Sequence, residues 1–310
     1  MLARTYKHEP FYFCCSRKDE LLALVPMMEI RSQLTGRRGV GLPFTDWCPP
    51  LVFQADSWGF VMKTLTDLAR ERRWKHFELR GGVDGPQSKS QSMAFYGHTL
   101  ELQGGSEEIL SGFSSATRRA IRKAEKSELW VEATQTSEAL RNYYKLHVET
   151  RKRHGLPPQP FSFFRNIQEE IIEPGLGFIV LAYLGIRAVA GAVYFHFGNN
   201  AVYKFGASDA RLQEFRGNNL VMWKAIQVLA GGGFERLHFG RTSGDNEGLR
   251  KFKLGWGTRE KHLGYTKYGA TTGGSAKRRD RTKGFHNHIF GNLPSALNCL
   301  AGALIYPHLD

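Results

Sequence analysis

The sequence of 310 residues is poor in cysteine, short of acidic charge and free of long apolar runs. The four cysteines, Cys14, Cys15, Cys48 and Cys299, form no C-x-x-C pair. This spacing argues against a disulfide framework or a zinc site and favours reduced thiols. Without an 18-residue apolar run or an apolar signal region, the sequence predicts no simple membrane span and no signal peptide. We therefore expect a cytoplasmic protein.

Basic residues outnumber acidic ones, 43 Lys and Arg against 29 Asp and Glu, and the formal net charge is +14. This excess favours an anionic partner, which can be a nucleic acid, a phosphorylated metabolite or an acidic membrane surface. The hydrophobic content of 41%, with 12% aromatic residues, excludes a disordered chain. The length is sufficient for two domains with sizeable cores.

An internal repeat organises the chain. Residues 60–81 and 220–241 align without a gap, 160 positions apart, and each segment is typical of an amphipathic helix followed by a short strand. Apolar runs separated by turns precede each copy, at 11–30 and 177–208, and predict hairpins. The order of two strands, a helix and a third strand thus occurs twice. It predicts an α/β (α+β) fold made of two related subdomains.

The predicted boundaries follow from this repeat. A first subdomain covers 1–105, and a second subdomain with a helical connector covers 106–268. Within the connector, 114–127 and 137–155 each begin with a Ser that is typical of a helix N-cap. A polar, basic tail and an apolar C-terminal segment make up 269–310, and we expect the apolar segment to form a docked or interfacial helix.

Several motifs in a shared order carry a resemblance to a known family. They are "LPFTDWCPPL" (42–51), "SSATRRAIRKAEK" (114–126), "YKFGASD" (203–209), "NNLVMWKAI" (218–226), "HFGRT" (238–242) and "GLRKFKLGWG" (248–257). The chain resembles the FemAB/FemX peptidyltransferases, which contain two tandem units of the GCN5-related N-acetyltransferase (GNAT) fold. Family members usually have a further segment before the "YKHEP" position (6–10). The resemblance therefore implies that the first subdomain is incomplete at its N-terminus.

The resemblance implies an acyl or aminoacyl transferase. FemAB/FemX enzymes use aminoacyl-tRNA as the donor and an amine of a peptidoglycan precursor as the acceptor, without coenzyme A or another cofactor. GNAT enzymes instead bind acyl-CoA at a glycine-containing loop before a helix. The matching loop, Gln213–Leu220, keeps Gly217 but has Asn219 where a small residue is usual. Acyl-CoA is the alternative donor, and an inactive member that binds an anionic partner is the alternative to an enzyme.

Three residues match the family's reaction centre. Lys253 lies in a predicted strand, where Phe252 and Leu254 would face the core and the lysine would face a cleft and stabilise an oxyanion. Asp46 is expected to orient or deprotonate the acceptor amine, and Tyr203 to lie near the acceptor. The ordinary alternatives are a solvated strand lysine, a turn-capping aspartate and a core aromatic residue.

The remaining candidates are binding residues. Arg241 and Asn246 are predicted to contact phosphates, and Arg118 and Arg122 to contact tRNA or a pyrophosphate; a solvated helix face is the alternative for the arginine pair. The run "KRRDRTK" (277–283) favours tRNA or an anionic membrane beside the apolar C-terminal segment, or it is a plain charged linker. No metal site is predicted, because His286 and His288 have no further ligand at a suitable spacing.

Overall fold

The computed structural model describes residues 1–81, 93–269 and 285–310, which divide between two compact units. The N-terminal unit contains 2–81, 93–96, 262–269 and 304–310 of these residues. The C-terminal unit contains Met1, 97–261 and 285–303. The two units therefore draw on non-contiguous parts of the chain. The basic run at 277–283 lies outside the described residues.

The N-terminal unit is built on a hairpin and a helix–strand segment. Its elements are α1 (Leu2–Tyr6), β1 (Glu9–Arg17), β2 (Glu20–Ser32), β3 (Gly36–Val40), β4 (Leu51–Val52), α2 (Ser57–Glu71), β5 (His76–Arg80) and the first part of β6 (Met93–Glu101). Alternating apolar residues on β1 and β2 and the apolar stripe of α2 bury one core, which includes Met27, Leu65, Trp74 and Phe77. β3 pairs antiparallel with β2 and parallel with β5.

The C-terminal unit has more helices and a larger core. Its elements are the rest of β6, α3 (Gly105–Ser111), α4 (Ser115–Glu125), β7 (Leu129–Thr134), α5 (Ser137–Arg153), α6 (Phe161–Ile167), β8 (Gly177–Leu184), β9 (Arg187–Phe197), β10 (Asn200–Ser208), α7 (Gly217–Gly231), β11 (Arg236–Ser243), α8 (Glu247–Leu254), the start of β12 (Arg259–Gly269), α9 (Phe285–Asn292) and α10 (Ser295–Ile305). Its strands follow the order β6-β11-β10-β9-β8-β7. The mixed α/β fold class is confirmed.

The predicted repeat is present at the level of whole elements. Helix α7 begins and ends 160 positions after α2, and β11 begins 160 positions after β5. The predicted hairpins are also present, because β1 pairs antiparallel with β2 and β8 pairs antiparallel with β9. Gly185 and Gly198 provide the positive φ angles of 58° and 53° at the two turns of the second copy.

The helical connector differs in one detail from the sequence prediction. Ser114 caps α4 as expected, with its Oγ accepting a hydrogen bond from the Thr117 N–H at 3.2 Å. The cap of α5 is Thr136 rather than Ser137, because the Thr136 hydroxyl accepts from the Ala139 N–H at 3.2 Å. Each cap satisfies one of the N–H groups that the first turn of a helix leaves unpaired.

The apolar C-terminal segment forms the two helices α9 and α10. Asn298 on α10 is fully buried and donates from Nδ2 to the Leu156 carbonyl at 3.4 Å. Gly302, one turn later, is also buried, and a Cβ there would lie 1.9 Å from the Pro158 carbonyl oxygen. One side of α10 is therefore docked on the segment after α5. No helix in the described ranges is long and apolar enough to cross a membrane.

Candidate active site

In the C-terminal unit, two parallel strands stop pairing partway along their length, and the region where their pairing ends is called the crevice below. The recorded register of β10 and β11 covers only Asn200–Val202 against Arg236–His238, although β10 continues to Ser208 and β11 to Ser243. The register of β10 with β9 is irregular between Tyr203 and Phe205, directly after the last pair with β11. A bulge beside a splayed pair leaves backbone groups available for a ligand. Such a crevice is a natural place for a reaction centre.

Lys253 lies on a helix, and its predicted position in a strand was wrong. Asn246 caps α8 by accepting a hydrogen bond from the Leu249 N–H at 3.1 Å, and Lys251 and Lys253 occupy the last turn. Cationic side chains in a last turn are favoured by the helix dipole. The prediction that Phe252 and Leu254 face the core was also wrong, since their side chains are 37% and 40% exposed.

Lys253 itself is the buried member of this segment, with only 4% of its surface exposed. Its Nζ donates to the Gly240 carbonyl at 3.0 Å and to the Arg241 carbonyl at 2.9 Å. A buried ammonium group requires such partners to offset its loss of hydration. The two carbonyls belong to the part of β11 that no longer pairs with β10, so the charge is fixed beside the crevice.

A buried histidine lies close enough to Lys253 to be affected by its charge. His98 on β6 is fully buried, and its Nδ1 lies 3.8 Å from Oε2 of Glu260. Burial, and then the charge of Lys253, lower the pKa of His98 to about 4, so the imidazole is neutral near pH 7. Glu260 is held in turn by two hydrogen bonds from Arg250, at 2.7 and 2.6 Å.

Several buried polar atoms here have no hydrogen-bond partner among the described residues. They are both ring nitrogens of His98, the hydroxyl of Thr242 and the indole Nε1 of Trp256. Thr242 follows Arg241 on β11, and the Trp256 backbone N–H donates to the Lys253 carbonyl at 3.1 Å. Unsatisfied polar atoms in one neighbourhood are typical of a site that receives water or a ligand group.

Tyr203 lies on the opposite strand of the crevice, at the irregularity in β10. Its ring centroid is 5.6 Å from that of Tyr194 and 6.4 Å from that of Phe239 on β11. Burial raises the pKa of Tyr203 to about 12, so its hydroxyl stays protonated and can donate a hydrogen bond. A Cβ at Gly206 would lie 1.7 Å from this hydroxyl, so glycine there makes room for the ring.

Gly217 begins α7, and an exposed Arg216 with φ of 58° precedes it. Gly217 is buried, and a Cβ there would lie 3.0 Å from the Cβ of Ala190 on β9. Asn218 donates from Nδ2 to the Ser208 hydroxyl at 3.1 Å, so the start of α7 is tied to the end of β10. A helix N-terminus presents N–H groups and a positive dipole end to an anion.

The other predicted binding residues have structural contacts. Arg118 donates from Nη1 to the Ser111 and Phe113 carbonyls, both at 2.7 Å, and so fixes the chain before α4. Arg122 is exposed on the same helix, and Arg241 is partly buried on β11. Asn246, described above as the cap of α8, uses its side-chain oxygen for that purpose.

Asp46 belongs to the N-terminal unit, whereas the other predicted site residues belong to the C-terminal unit. Its carbonyl accepts a hydrogen bond from the Tyr265 hydroxyl, and the neighbouring Thr45 carbonyl accepts one from Arg80 at 3.1 Å. Leu42 and Phe44 have φ of 50° and 59°, angles that are uncommon for residues with side chains. The loop that carries Asp46 is therefore held in a strained conformation.

In the N-terminal unit, this loop occupies the place that corresponds to the crevice of the C-terminal unit. In the N-terminal unit, β3 and β5 pair through Gly39 with Phe77 and Val40 with Glu78. The next residues stay bonded to β5, because the Gly41 N–H donates to the Glu78 carbonyl and the Cys48 N–H donates to the Arg80 carbonyl. The two copies of the repeat thus differ where the parallel strands end.

Sequence reasoning missed His98, Glu260 and Arg250. Arg250 lies within "GLRKFKLGWG" (248–257) and Glu260 soon after it, but His98 lies far earlier, in "FYGHTLE", so no single motif joins the three residues. A lone histidine in an apolar strand was the one available signal for His98, and such a residue is usually an ordinary core residue. No group of three or more residues suited to a metal ion is found within the described ranges.

Part of the chain matches a family model of a known domain. Residues 111–257, which include the crevice, match the family model "Acetyltransferase (GNAT) domain". No curated protein sequence matches the chain.

Three solved structures are similar in fold. A crystal structure of FemX has a TM-score of 0.64 and 15% identity over 84% of this chain and 89% of its own. A tandem GNAT protein from the clavulanic acid biosynthesis pathway has a TM-score of 0.58 and 10% identity, over 85% and 83%. The DUF2156 C-terminal domain of a protein from Agrobacterium fabrum, described as a lysylphosphatidylglycerol synthetase, has a TM-score of 0.56 and 12% identity, over 98% and 90%.

Proposed function

Because residues 111–257 match a GNAT-domain family model and the fold is similar to that of FemX, we propose that this protein transfers an aminoacyl group from aminoacyl-tRNA to an amine acceptor. The proposed acceptor is a peptidoglycan precursor or a related precursor of the cell surface, met on the cytoplasmic side of the membrane. The observation that carries the proposal is the buried ammonium group of Lys253 at the open end of β10 and β11.

The reaction is the aminolysis of an ester. A neutral amine attacks the ester carbonyl, a tetrahedral oxyanion forms, and the ribose oxygen leaves with a proton. No nucleophilic side chain is needed, so the protein contributes alignment and electrostatic stabilisation. The fixed charge of Lys253 would stabilise the oxyanion. The protonated hydroxyl of Tyr203 would orient the acceptor or donate a hydrogen bond to the leaving oxygen.

Other candidate residues would bind the substrates. Arg118 and Arg122 on α4, together with Arg241 on β11, would contact the phosphates of the donor through their positive charge. The formal net charge of +14 favours the approach of the anionic tRNA and of a precursor that carries phosphate.

Acyl-CoA is the second candidate donor, and the start of α7 is the observation that favours it. Gly217 is buried against β9 and Asn218 is bonded to the end of β10, so the helix N-terminus lies beside the end of one crevice strand. An anionic pyrophosphate would bind well at such a terminus. In that case the same crevice would accept the acyl group and the same lysine would stabilise the oxyanion.

A transfer assay with two labelled donors tests the proposal. A charged tRNA pool and acetyl-CoA are supplied separately, with soluble peptidoglycan precursors as acceptors. Lys253→Met is compared with Lys251→Met, which removes an exposed lysine from the same helix. We expect label to move from tRNA, with a loss of about 100-fold or more in rate for Lys253→Met and little change for Lys251→Met.

The outcomes separate the two donors. Label moving from acetyl-CoA alone would replace the aminoacyl-tRNA proposal with a conventional acetyltransferase. Equal rates for wild type and Lys253→Met would remove the lysine from the mechanism. A folded protein that moves label from neither donor would favour a binding role for this protein.

A further inference from the structure

Helix α10 presents an apolar face that the described part of the chain leaves exposed. Asn298 and Gly302 lie on its buried side, and Leu297 and Leu300 lie on the other side with 52% and 58% of their surfaces exposed. An α-helix advances about 100° per residue, so Ala296 and Ala303 fall on this exposed side as well. These four residues, Ala296, Leu297, Leu300 and Ala303, are called the leucine face below.

The charges around α9 and α10 are one-sided. Residues 285–305 contain no Asp, Glu, Lys or Arg. Along α9 runs an open cleft of about 580 Å³, whose charged lining residues are Glu149, Lys152 and Arg153. Two basic side chains face one acidic side chain there, and Arg151 precedes them on α5. The surroundings of the helix pair are therefore apolar and basic.

We propose that the leucine face and the basic end of α5 dock the protein on the surface of an anionic lipid bilayer. Exposed leucines on a helix without charges fit the boundary between headgroups and acyl chains. Lys152 and Arg153 would attract anionic headgroups. The proposed contact is peripheral, with the helix lying in the plane of the interface.

Charge favours a bilayer over a second copy of the chain. Two copies that met through this face would bring together two molecules with formal net charges of +14 each. The face also lacks the aromatic and arginine side chains that usually dominate a protein–protein interface. An anionic membrane supplies both an apolar layer and the opposite charge. The inference does not depend on the acyl-transfer proposal, because binding alone is measured.

Vesicle flotation with the full chain tests the inference. Vesicles of phosphatidylcholine alone are compared with vesicles that also contain phosphatidylglycerol, and Leu297→Ser/Leu300→Ser is compared with wild type. The matched control is Ile186→Ser, which removes a fully exposed apolar side chain from a turn. We expect binding to the phosphatidylglycerol vesicles, reduced about tenfold or more by the leucine double variant and unchanged by the control.

A second variant separates charge from apolar contact. Lys152→Gln should weaken binding to the phosphatidylglycerol vesicles about fivefold and leave the weak binding to phosphatidylcholine unchanged. The Lys152→Gln variant also tests the proposed docking if the leucine double variant is unfolded. Equal binding of wild type and folded leucine double variant would overturn the inference. So would a wild type that ignores vesicles but forms a dimer that the leucine double variant abolishes.

Discussion

The Nζ atom of Lys253 lies 3.0 Å from the carbonyl oxygen of Gly240, thirteen positions earlier in the chain, and donates a hydrogen bond to it. This bond places the charge of Lys253, at the end of α8, against β11, the strand that precedes α8 in the chain. Gly240 has φ of 73° and lies beyond the last residue of β11 that pairs with β10. Its carbonyl therefore accepts the lysine's hydrogen bond where the pairing of β11 with β10 has ended.

Lys253→Met is expected to destabilise the fold as well as to remove the charge. The substitution leaves the carbonyls of Gly240 and Arg241 without their buried donor, which costs about 2 kcal/mol of the free energy of unfolding. Lys251→Met removes a side chain that is 80% exposed, and we expect a change within about 0.5 kcal/mol. Urea unfolding of both variants measures the difference. Equal stabilities would show that the two hydrogen bonds contribute nothing.

His98 gives the stability a defined dependence on pH. Its pKa is about 4 in the folded protein because it is buried and lies near Lys253, against a value of 6.5 for an ordinary histidine. The unfolded chain therefore binds a proton between these values and the folded chain does not. The contribution of His98 to the free energy of unfolding is fully present above about pH 6.5 and is lost as the pH drops toward 4. At pH 5 the loss from this residue is about 2 kcal/mol.

The variant His98→Gln tests this effect. The loss of stability between pH 7.5 and pH 5 should be smaller in the variant by about 2 kcal/mol. His147, whose pKa is lowered to about 3 by burial, contributes in the same direction, so a part of the pH dependence should persist. Ile186→Gln, which changes a fully exposed side chain that does not titrate, is the control and should leave the dependence unchanged. If the stability of His98→Gln depended on pH as strongly as that of the wild type, the prediction would be contradicted.

The repeat was predictable from the sequence because its signals are local. Helix α2 and strand β5 each carry a complete apolar pattern, and so do α7 and β11. The turn glycines Gly185 and Gly198 are equally local signals. These elements account for the fold class, which the sequence predicted correctly.

The surroundings of Lys253 were not predictable in the same way. The alternation of basic and apolar residues from Lys251 to Trp256 matched a strand, whereas the side chain of Asn246 decided in favour of a helix. The crevice depends on where two strands stop pairing, and the meeting of His98 with Glu260 depends on the packed sheet. Neither leaves a periodic trace in the sequence.

Gly206 and Tyr203 should show strong coupling in a double-mutant cycle. In Gly206→Ala the new Cβ would lie 1.7 Å from the tyrosine hydroxyl, so the ring must move, and we expect a loss of about 1–3 kcal/mol. In a Tyr203→Ala background the same methyl group meets no ring, and its cost should be smaller by about 1 kcal/mol or more. Thermal unfolding of the four proteins measures the coupling. Additive losses would mean that the ring and Gly206 do not share this space.

Glu78 and Arg80 form a buried ion pair in the N-terminal unit, with Nε of the arginine 3.0 Å from Oε1 of the glutamate. Arg80→Met leaves the carboxylate buried without its partner and removes the bond to Thr45, so we expect a loss of about 3–5 kcal/mol. Glu78→Leu/Arg80→Met should lose less than Arg80→Met alone, because no unpaired charge remains.

An exposed pair in the same unit provides the control for the buried one. Lys63 and Asp67 are one helical turn apart with Nζ and Oδ2 2.9 Å from each other, and Lys63→Met should change stability by less than about 1 kcal/mol. Denaturant unfolding gives the four free energies, and cleavage by an added protease reports on the loop that carries Asp46. If Arg80→Met costs no more than Lys63→Met, and the loop stays protected, then packing rather than the buried pair holds that loop in its strained conformation.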